Sequence, residues 1–282
     1  MHILITGISG FTGRYVEREL ISRGHFVSGL NSNLLDTTSL KKEILSQDID
    51  AVIHLAGISY AESKNIQNIY NVNIIGTLNL LKVLDLISSN LKSVIVASSA
   101  SVYGNNHKNP IVEESPLNPI SHYAISKACM ENMAKLYMDK IPILLTRPFN
   151  YTGVGQSTDF LIPKIIYHFK EKKQLIELGN LDVYREFGDV RDVAKIYANL
   201  LENNLKNKIV NICTGKTYQL REVFNRCAKI SNHIIELKTN PLLNRPNDPL
   251  VLCGDNTKLV KEVKCSCKYN LKETLNWMFS FE

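Results

Sequence analysis

Tyr123 and Lys127 stand four residues apart in the segment YAISK, a spacing that puts both side chains on one face of a helix. A free phenol has a pKa of about 10, so a tyrosine becomes a well-matched proton donor or acceptor near neutrality when a cation stabilises its phenolate. The ammonium group of Lys127 is such a cation. Because tyrosine and lysine are common residues, the pair alone does not separate catalysis from an ordinary helix surface.

Two further segments bear on that choice. The apolar run SVIVA leads into SSASVYG, which puts the hydroxyl of Ser99 at the carboxyl end of a predicted strand. Gly7, Gly10 and Gly13 follow the first apolar run, HILIT, and open the first predicted helix. Glycines in that position let the backbone turn tightly and approach a pyrophosphate, whose charge is attracted to the helix N-terminus. The sequence therefore predicts that the chain binds a dinucleotide.

The end of the second predicted strand, HFVSGLNSN, bears on which dinucleotide is bound. A carboxylate commonly receives the adenosine ribose hydroxyls of NAD at this position, and here Asn31 stands there, followed by Ser32. A carboxylate would repel the extra phosphate of NADP, whereas Asn and Ser can donate hydrogen bonds to it. No arginine follows directly, although Arg14 at the start of the first helix is a substitute. We therefore expect a preference for NADP(H), with NAD(H) as the alternative.

The pattern of apolar runs predicts the elements that position these residues. Short β-rich runs alternate with helical patterns, which is typical of an α/β fold with a Rossmann-type, doubly wound parallel sheet. The rhythm breaks after residue 150, so we expect a dinucleotide-binding domain over 1–150 and a smaller, mainly substrate-binding α/β region over 151–282. Segments near 183–212 are expected to return to the first domain. The predicted helices are Phe11 to Arg23, Thr38 to Ser46, Ser63 to Ile87 and one that carries YAISK.

The bulk composition excludes several classes of protein. The chain has 282 residues, is 44% hydrophobic and carries a net charge of +6 without a basic block, which favours small anionic ligands over nucleic acid. It has neither a leader-like segment nor an apolar run near the ~20 residues that span a bilayer, so we expect a cytoplasmic protein without a membrane partner. No metal-type spacing links its cysteines, which we expect to be reduced and structural: Cys129, Cys213, Cys227, Cys253, Cys265 and Cys267.

Taken together, the glycine segment, SSASVYG and YAISK resemble the extended short-chain dehydrogenase/reductase family, whose members mostly act on nucleotide sugars. The resemblance implies that Tyr123 is the acid/base and that Ser99 hydrogen-bonds the reacting substrate oxygen. It implies that Lys127 supports the tyrosine and, like Tyr123, contacts the cofactor by holding the nicotinamide ribose. It also implies a set of further cofactor contacts: Gly7, Gly10, Phe11, Thr12, Gly13, Asn31, Ser32, Leu55, Ala56 and Gly57.

The same resemblance narrows the reaction. Sugar 4,6-dehydratases of the family usually carry acidic residues directly after the catalytic Ser/Thr, and this chain has Ala100 and Ser101 there. Carboxyl-dependent water elimination is therefore disfavoured, and epimerases and ketoreductases remain. The segment RPFNYTGVGQ resembles the family's substrate-side segment, which implies that Asn150 contacts the sugar diphosphate. Two later segments resemble reductases of GDP-linked 4-keto-6-deoxymannose, which implies that Arg185 and Arg245 contact the diphosphate of the substrate.

We therefore expect NADPH-dependent reduction of the C4 ketone of a nucleotide-linked 4-keto-6-deoxy sugar, to a product of the rhamnose or talose type. An NAD-dependent nucleotide-sugar 4-epimerase is the first alternative. A non-enzymatic NADP-binding protein on the same fold is the second. The resemblance also implies a homodimer, formed by the long helix before Leu91 and the helix that carries Tyr123.

Overall fold

The computed structural model of the chain describes residues 1–59, 65–105, 108–203, 205–244 and 248–281. Within these ranges the strands are β1 (His2–Thr6), β2 (Phe26–Gly29), β3 (Ala51–His54), β4 (Ser93–Ala97), β5 (Ile143–Pro148), β6 (Tyr151–Thr152), β7 (Leu175–Leu178), β8 (Tyr184–Glu186), β9 (Gly188–Asp189), β10 (Lys208–Ile212), β11 (Thr217–Gln219), β12 (Glu236–Thr239) and β13 (Val251–Leu252). The α-helices are α1 (Phe11–Ser22), α2 (Thr37–Leu45), α3 (Ile66–Tyr70), α4 (Thr77–Asp85), α5 (His122–Lys135), α6 (Leu161–Lys170), α7 (Val190–Glu202), α8 (Leu220–Ser231), α9 (Thr257–Val263) and α10 (Leu271–Ser280).

The main sheet of the described residues has six strands in the order β10-β5-β4-β3-β1-β2, and every neighbouring pair is parallel. Side chains alternate along each strand, so the sheet buries an apolar layer on both faces. Ile3 and Ile5 pack with α1 and α7 on one face. Leu4 packs with α2, α4 and α5 on the other. The predicted doubly wound parallel sheet is confirmed.

The strand order places a topological switch beside β1. From β1 the chain crosses to β2 on one side, then returns to β3 on the other side. In open parallel sheets, the crevice outside the carboxyl ends of such neighbouring strands is where ligands bind. The glycine segment after β1 and the loop after β3 both reach this crevice.

The long helix predicted over Ser63 to Ile87 is interrupted in the structure. Ser63 itself lies outside the described residues, and α3 and α4 are joined by a π-helical segment, Asn71–Gly76. The Thr77 hydroxyl donates to the carbonyl of Asn73 at 2.8 Å. A π-helical turn has one more residue per hydrogen-bonded turn than an α-helix, so its side chains point in different directions. Here the turn changes the direction of the side chains around Asn73.

A second core lies beyond the main sheet. It is formed by α6, α8 and α10 with strand β7 and with Val183 and Phe187, which flank β8. Glu186 at the end of β8 joins it to the main sheet, because its carboxylate accepts the backbone N–H groups of Thr214, Gly215 and Gly254. The intervening segment returns to the main sheet, where α7 packs on α1 and β10 pairs with β5.

None of the described helices combines the length and the apolar character needed to cross a lipid bilayer.

Candidate active site

The glycine segment is shaped by two backbone contacts that leave no room for a side chain. Gly7 has φ of +73°, and a Cβ added there would lie 2.8 Å from the backbone nitrogen of Ala56. A Cβ on Gly13 would lie 2.3 Å from the carbonyl oxygen of Gly7. Gly10 caps α1 and offers no side chain to fill the helix N-terminus. The segment is thus a close-packed cradle with backbone N–H groups at its end, which fits the pyrophosphate of a dinucleotide.

The loop after β3 forms the opposite wall of the crevice. The N–H of Leu55 donates to the carbonyl of Thr6 at 3.2 Å, and the N–H of Ala56 donates to the Thr6 hydroxyl at 3.2 Å. His54 lies buried beneath them, with its ring nitrogens 2.6 Å from the Thr6 hydroxyl and 2.9 Å from the Thr77 hydroxyl. Burial, together with the nearby charge of Lys127, lowers the pKa of His54 to about 3, so the ring is neutral.

Asn73 ties this wall to the catalytic helix. Its amide oxygen accepts the N–H of Ile58 at 2.8 Å, and its amide nitrogen donates to the carbonyl of Ile58 at 3.1 Å and to the Ser126 hydroxyl at 3.0 Å. Ser126 lies in α5 between Tyr123 and Lys127. The loop that includes Gly57 is therefore held against α5 through one side chain of the π-helical segment.

Lys127 is buried at the centre of the site. Its ammonium group donates to the carbonyl of Ala97 at the end of β4, at 2.9 Å, and lies 3.3 Å from the position of a Cβ on Gly57. Burial lowers the pKa of Lys127 to about 8, against the opposing effect of Glu131. An exposed lysine titrates far above neutral pH, so burial brings the pKa of Lys127 close to neutral pH.

Ser99 and Tyr123 complete the predicted catalytic group. Ser99 lies just after β4, where its hydroxyl oxygen accepts the N–H and the hydroxyl of Ser101 at 3.2 and 3.0 Å. Tyr123 lies in the first turn of α5, which is capped by Ser121, and its side chain is half-buried. The short 3-10 turn that follows Ser99 packs against α5. The three residues thus lie on elements that meet at the carboxyl edge of the sheet.

A buried ion pair lies behind this group, and the sequence analysis did not identify it. The guanidinium of Arg147, on β5, is paired with both carboxylate oxygens of Glu131 at 2.6 and 2.9 Å. It also donates to the Tyr103 hydroxyl at 2.9 Å and to the carbonyl of Glu113 at 2.8 Å. Glu131 follows Lys127 by one helical turn. The pair therefore fixes how closely α5 packs against β5. In the sequence, the pair is indicated only by a charged residue, Arg147, inside an apolar strand.

The end of β2 holds a carboxylate that the sequence analysis did not anticipate. The backbone N–H groups of Asn31 and Ser32 donate to the carboxylate of Glu43 at 2.8 and 2.7 Å. The Asn31 side-chain amide donates to it at 3.3 Å, and the Ser32 hydroxyl also donates to it. Glu43 lies on α2, twelve residues along the chain from Asn31, and nothing in the local sequence pattern points to it.

Phe11 and Thr12 face the segment that leads to the second core. The Phe11 ring is stacked on Tyr151 with centroids 6.1 Å apart, and the hydroxyls of Thr12 and Tyr151 lie 2.7 Å apart. This contact holds the Thr12 side chain at the edge of the glycine segment. The neighbouring Asn150 is exposed just after β5, where its carbonyl accepts the N–H of Gly188 at 2.9 Å.

Of the two arginines expected to contact the substrate, the structure describes only Arg185. Arg185 lies on β8, and its guanidinium pairs with Asp248 at 2.7 Å and donates to the carbonyl of Tyr184 at 2.7 Å. A substrate contact at Arg185 stays a prediction. Arg245 lies outside the described residues.

Comparison with known proteins gives the following matches. The sequence profile of the NAD dependent epimerase/dehydratase family matches residues 3–213. A GDP-6-deoxy-D-talose 4-dehydrogenase from Aggregatibacter actinomycetemcomitans is 36% identical over 266 residues, which cover 92% of this chain and 90% of that protein. A GDP-6-deoxy-D-mannose reductase from Pseudomonas aeruginosa is 29% identical over 294 residues, with 99% and 96% covered. The solved structure of RMD from Pseudomonas aeruginosa in complex with NADPH has a TM-score of 0.89 and 28% identity, and covers 99% of this chain and 98% of that one.

Proposed function

Because this chain belongs to the NAD dependent epimerase/dehydratase family, we propose that it interconverts the C4 ketone and the C4 alcohol of a GDP-linked 6-deoxyhexose. The chain is an enzyme of a family that binds NAD(P) and acts on nucleotide sugars. The names of the two relatives support the finer proposal, since both contain a GDP-linked 6-deoxyhexose. One is named a 4-dehydrogenase and the other a reductase, so the direction we favour, reduction of a 4-keto sugar with NADPH, is part of the proposal.

The observation that carries the proposal is the position of Lys127. A buried ammonium group lies one helical turn after Tyr123, between the cofactor-side loop at Gly57 and the end of β4. Burying a cation costs free energy unless it is paired or hydrogen-bonded, and the carbonyl of Ala97 alone is a modest partner. A phenolate formed at Tyr123 and a ribose hydroxyl would supply the remaining ones.

Tyr123, Ser99 and Lys127 have different roles in the proton transfer at the C4 oxygen. When bound, the nicotinamide supplies the hydride to C4 or accepts it back. In reduction, Tyr123 gives its phenolic proton to the C4 oxygen while Ser99 donates a hydrogen bond to the same oxygen. Lys127 stabilises the phenolate that remains. In oxidation, the phenolate takes the hydroxyl proton, and Ser99 and Lys127 keep the same positions.

The residues after Ser99 argue against water elimination. Ala100 is 2% exposed and Ser101 is engaged with Ser99, so this turn supplies no carboxyl group to act as acid or base at C5 and C6. The sugar is therefore expected to keep its substituents apart from the change at C4.

A 4-epimerase is the second candidate function, and the carboxylate of Glu43 beside Asn31 favours it. A carboxylate at the end of the second strand suits NAD, which such an isomerase would keep bound while the sugar turns over. Purified protein that retains NAD and interconverts 4-epimers without added reductant would support this candidate over the reductase.

The experiment that tests the proposal follows the oxidation of NADPH and of NADH with a panel of GDP-linked and UDP-linked 4-keto-6-deoxyhexoses, with the products identified by NMR. We expect turnover with a GDP-linked 4-ketone and a 6-deoxyhexose product with a hydroxyl at C4. Turnover of UDP-linked sugars alone, or an elimination product, would contradict the proposal.

A further inference from the structure

The four hydrogen-bond donors at the end of β2 are all directed to one acceptor. They are the backbone N–H groups of Asn31 and Ser32, the Asn31 side-chain amide and the Ser32 hydroxyl, and each donates to the carboxylate of Glu43. The two backbone contacts measure 2.8 and 2.7 Å. Asn31 and Ser32 are the residues that the sequence analysis expected to donate hydrogen bonds to the adenosine phosphate of NADP.

The position of Glu43 is fixed by the helix that carries it. α2 begins at Asp36, whose side chain caps it by accepting the N–H groups of Thr38 and Ser39. Leu40 and Ile44, on either side of Glu43, are fully buried in the core beneath the sheet. The carboxylate therefore cannot leave the end of β2 by a small shift of the helix and has to change its rotamer instead.

The charge state of Glu43 also favours this arrangement. Burial on its own would raise the pKa of the carboxyl, but the hydrogen bonds from Ser32 and Asn31 outweigh it and lower the pKa. Glu43 is consequently anionic at neutral pH, where it can accept a hydrogen bond from a ribose hydroxyl and repels a phosphate.

We infer that Glu43 determines the choice between NAD(H) and NADP(H) in this chain, by supplying from α2 the carboxylate that the end of β2 lacks. The NAD(H) ribose binds with Glu43 in place. NADP(H) binds only when Glu43 releases Asn31 and Ser32, which then serve the phosphate. The inference depends on the proposed function only in that the chain binds a dinucleotide, and it concerns the ratio of the two affinities.

The test measures the dissociation constants of NADPH and NADH by titration calorimetry, without any sugar, for the wild type and for Glu43→Gln. The substitution removes the charge and one of the two acceptor oxygens, and it keeps the size of the side chain. We expect the affinity for NADPH relative to NADH to rise by about tenfold or more, because a like charge next to the phosphate is removed. Asp48→Asn, which removes an exposed carboxylate five residues further on, is the matched control and is expected to leave the ratio unchanged.

A second variant tests the mechanism. If the freed donors serve the phosphate, Ser32→Ala in the Glu43→Gln background lowers the affinity for NADPH again and affects NADH much less. An unchanged NADPH to NADH ratio in Glu43→Gln, with NADH still bound, would overturn the inference. So would an equal change in the Asp48→Asn control. Failure of the proposed sugar reaction would leave these binding constants measurable, so the two failures are distinguishable.

Discussion

At the residue scale, Lys127 connects the electrostatics of the site to the rate that can be measured. Its pKa is lowered to about 8, first by burial, with Glu131 opposing the shift. In the unfolded chain a lysine titrates at about 10.4. The folded protein therefore loses the Lys127 proton over an interval in which the unfolded chain keeps it, and within that interval folding stability gains from a rise in pH. Activity that needs the ammonium group must instead fall as the pH rises through the same interval.

This opposition gives a pH prediction. We expect kcat/KM for NADPH, measured at saturating sugar, to fall above about pH 8 and to approach about a tenfold loss per pH unit, because this parameter reports ionisations of the enzyme before NADPH binds. Chemical denaturation at the same pH values is the control and should show no accompanying loss from Lys127. A profile that stays flat to about pH 10 would contradict the role assigned to the charge.

Sequence reasoning identified individual residues unevenly, and the reason is physical. The structure places Ser99 just after β4, and Tyr123 and Lys127 on α5, as their segments predicted, while their catalytic roles stay a prediction. Glu43 and Asp248 act on residues far along the chain, and their effect depends on where α2 and the segment after residue 247 pack. The preference for NADP(H) that Asn31 suggested was argued without the carboxylate facing it.

At the element scale, the turn between β1 and α1 owes its shape to close contact with the loop after β3. Gly7 and Gly24 both have positive φ, +73° and +81°, but a Cβ on Gly7 would meet Ala56 while a Cβ on Gly24 would meet nothing within 4 Å. Substituting each glycine in turn therefore separates the cost of a positive φ from the cost of a steric clash with Ala56.

We expect Gly24→Ala to lower the free energy of unfolding by ~1–2 kcal/mol, the usual cost of a left-handed conformation for an L-residue, without changing NADPH affinity. Gly7→Ala should lower it further and weaken NADPH binding, since the loop after β3 has to move. Denaturant unfolding and calorimetry measure the two effects. Equal losses in both variants, with binding intact, would show that the contact with Ala56 does not shape the site.

Most elements of the first 150 residues were predictable, apart from the π-helical segment that interrupts the helix before β4. Apolar runs such as HILIT and AVIHLA are short and nearly continuously buried, which favours strands of a parallel sheet over helices, and α1 has the expected apolar stripe. The π-helical segment between α3 and α4 was not predictable, because helical periodicity continues through it. Its purpose becomes visible only in the contacts of Asn73 with the loop after β3 and with α5.

At the scale of the whole molecule, two neighbouring helical faces remain apolar and exposed. On α5 and just beyond it, Ile125, Cys129, Asn132 and Leu136 are exposed at helical spacing, and the polar His122 and Lys135 are exposed on the same helix. On the neighbouring helix, Ile75 and Leu86 flank α4 and are 45% and 59% exposed. This fits the homodimer implied by the family resemblance, and the oligomeric state stays a prediction.

We expect light scattering to give the mass of a dimer at micromolar concentration, and Cys129→Arg to give a monomer, because a charge would be buried at the centre of the stripe. Leu242→Arg, at a position that is 92% exposed and lies in the second core region, is the control and should remain a dimer. A wild-type monomer, or a Cys129→Arg protein that stays dimeric, would contradict the prediction.

The overall architecture could be predicted from the sequence because several apolar runs along the chain each indicate a strand of the same doubly wound sheet. The family resemblance drawn from the glycine segment, SSASVYG and YAISK is also confirmed. The second core was less predictable, because short strands such as β8 and β13 pair across long stretches of chain. Clamps such as Glu186, which joins three segments, have no local signal in the sequence.

The most direct test of the account is the activity of Tyr123→Phe on a GDP-linked 4-keto-6-deoxyhexose. We predict that kcat falls by ~10²–10⁴-fold, the usual contribution of a positioned general acid, while the NADPH dissociation constant hardly changes because the ring remains. Tyr70→Phe is the matched control, since it removes a nearby hydroxyl that bonds to His122 at 2.9 Å, and it should keep nearly full activity. Nearly full activity in Tyr123→Phe itself would contradict the assignment of Tyr123 as the proton donor, and with it the central claim.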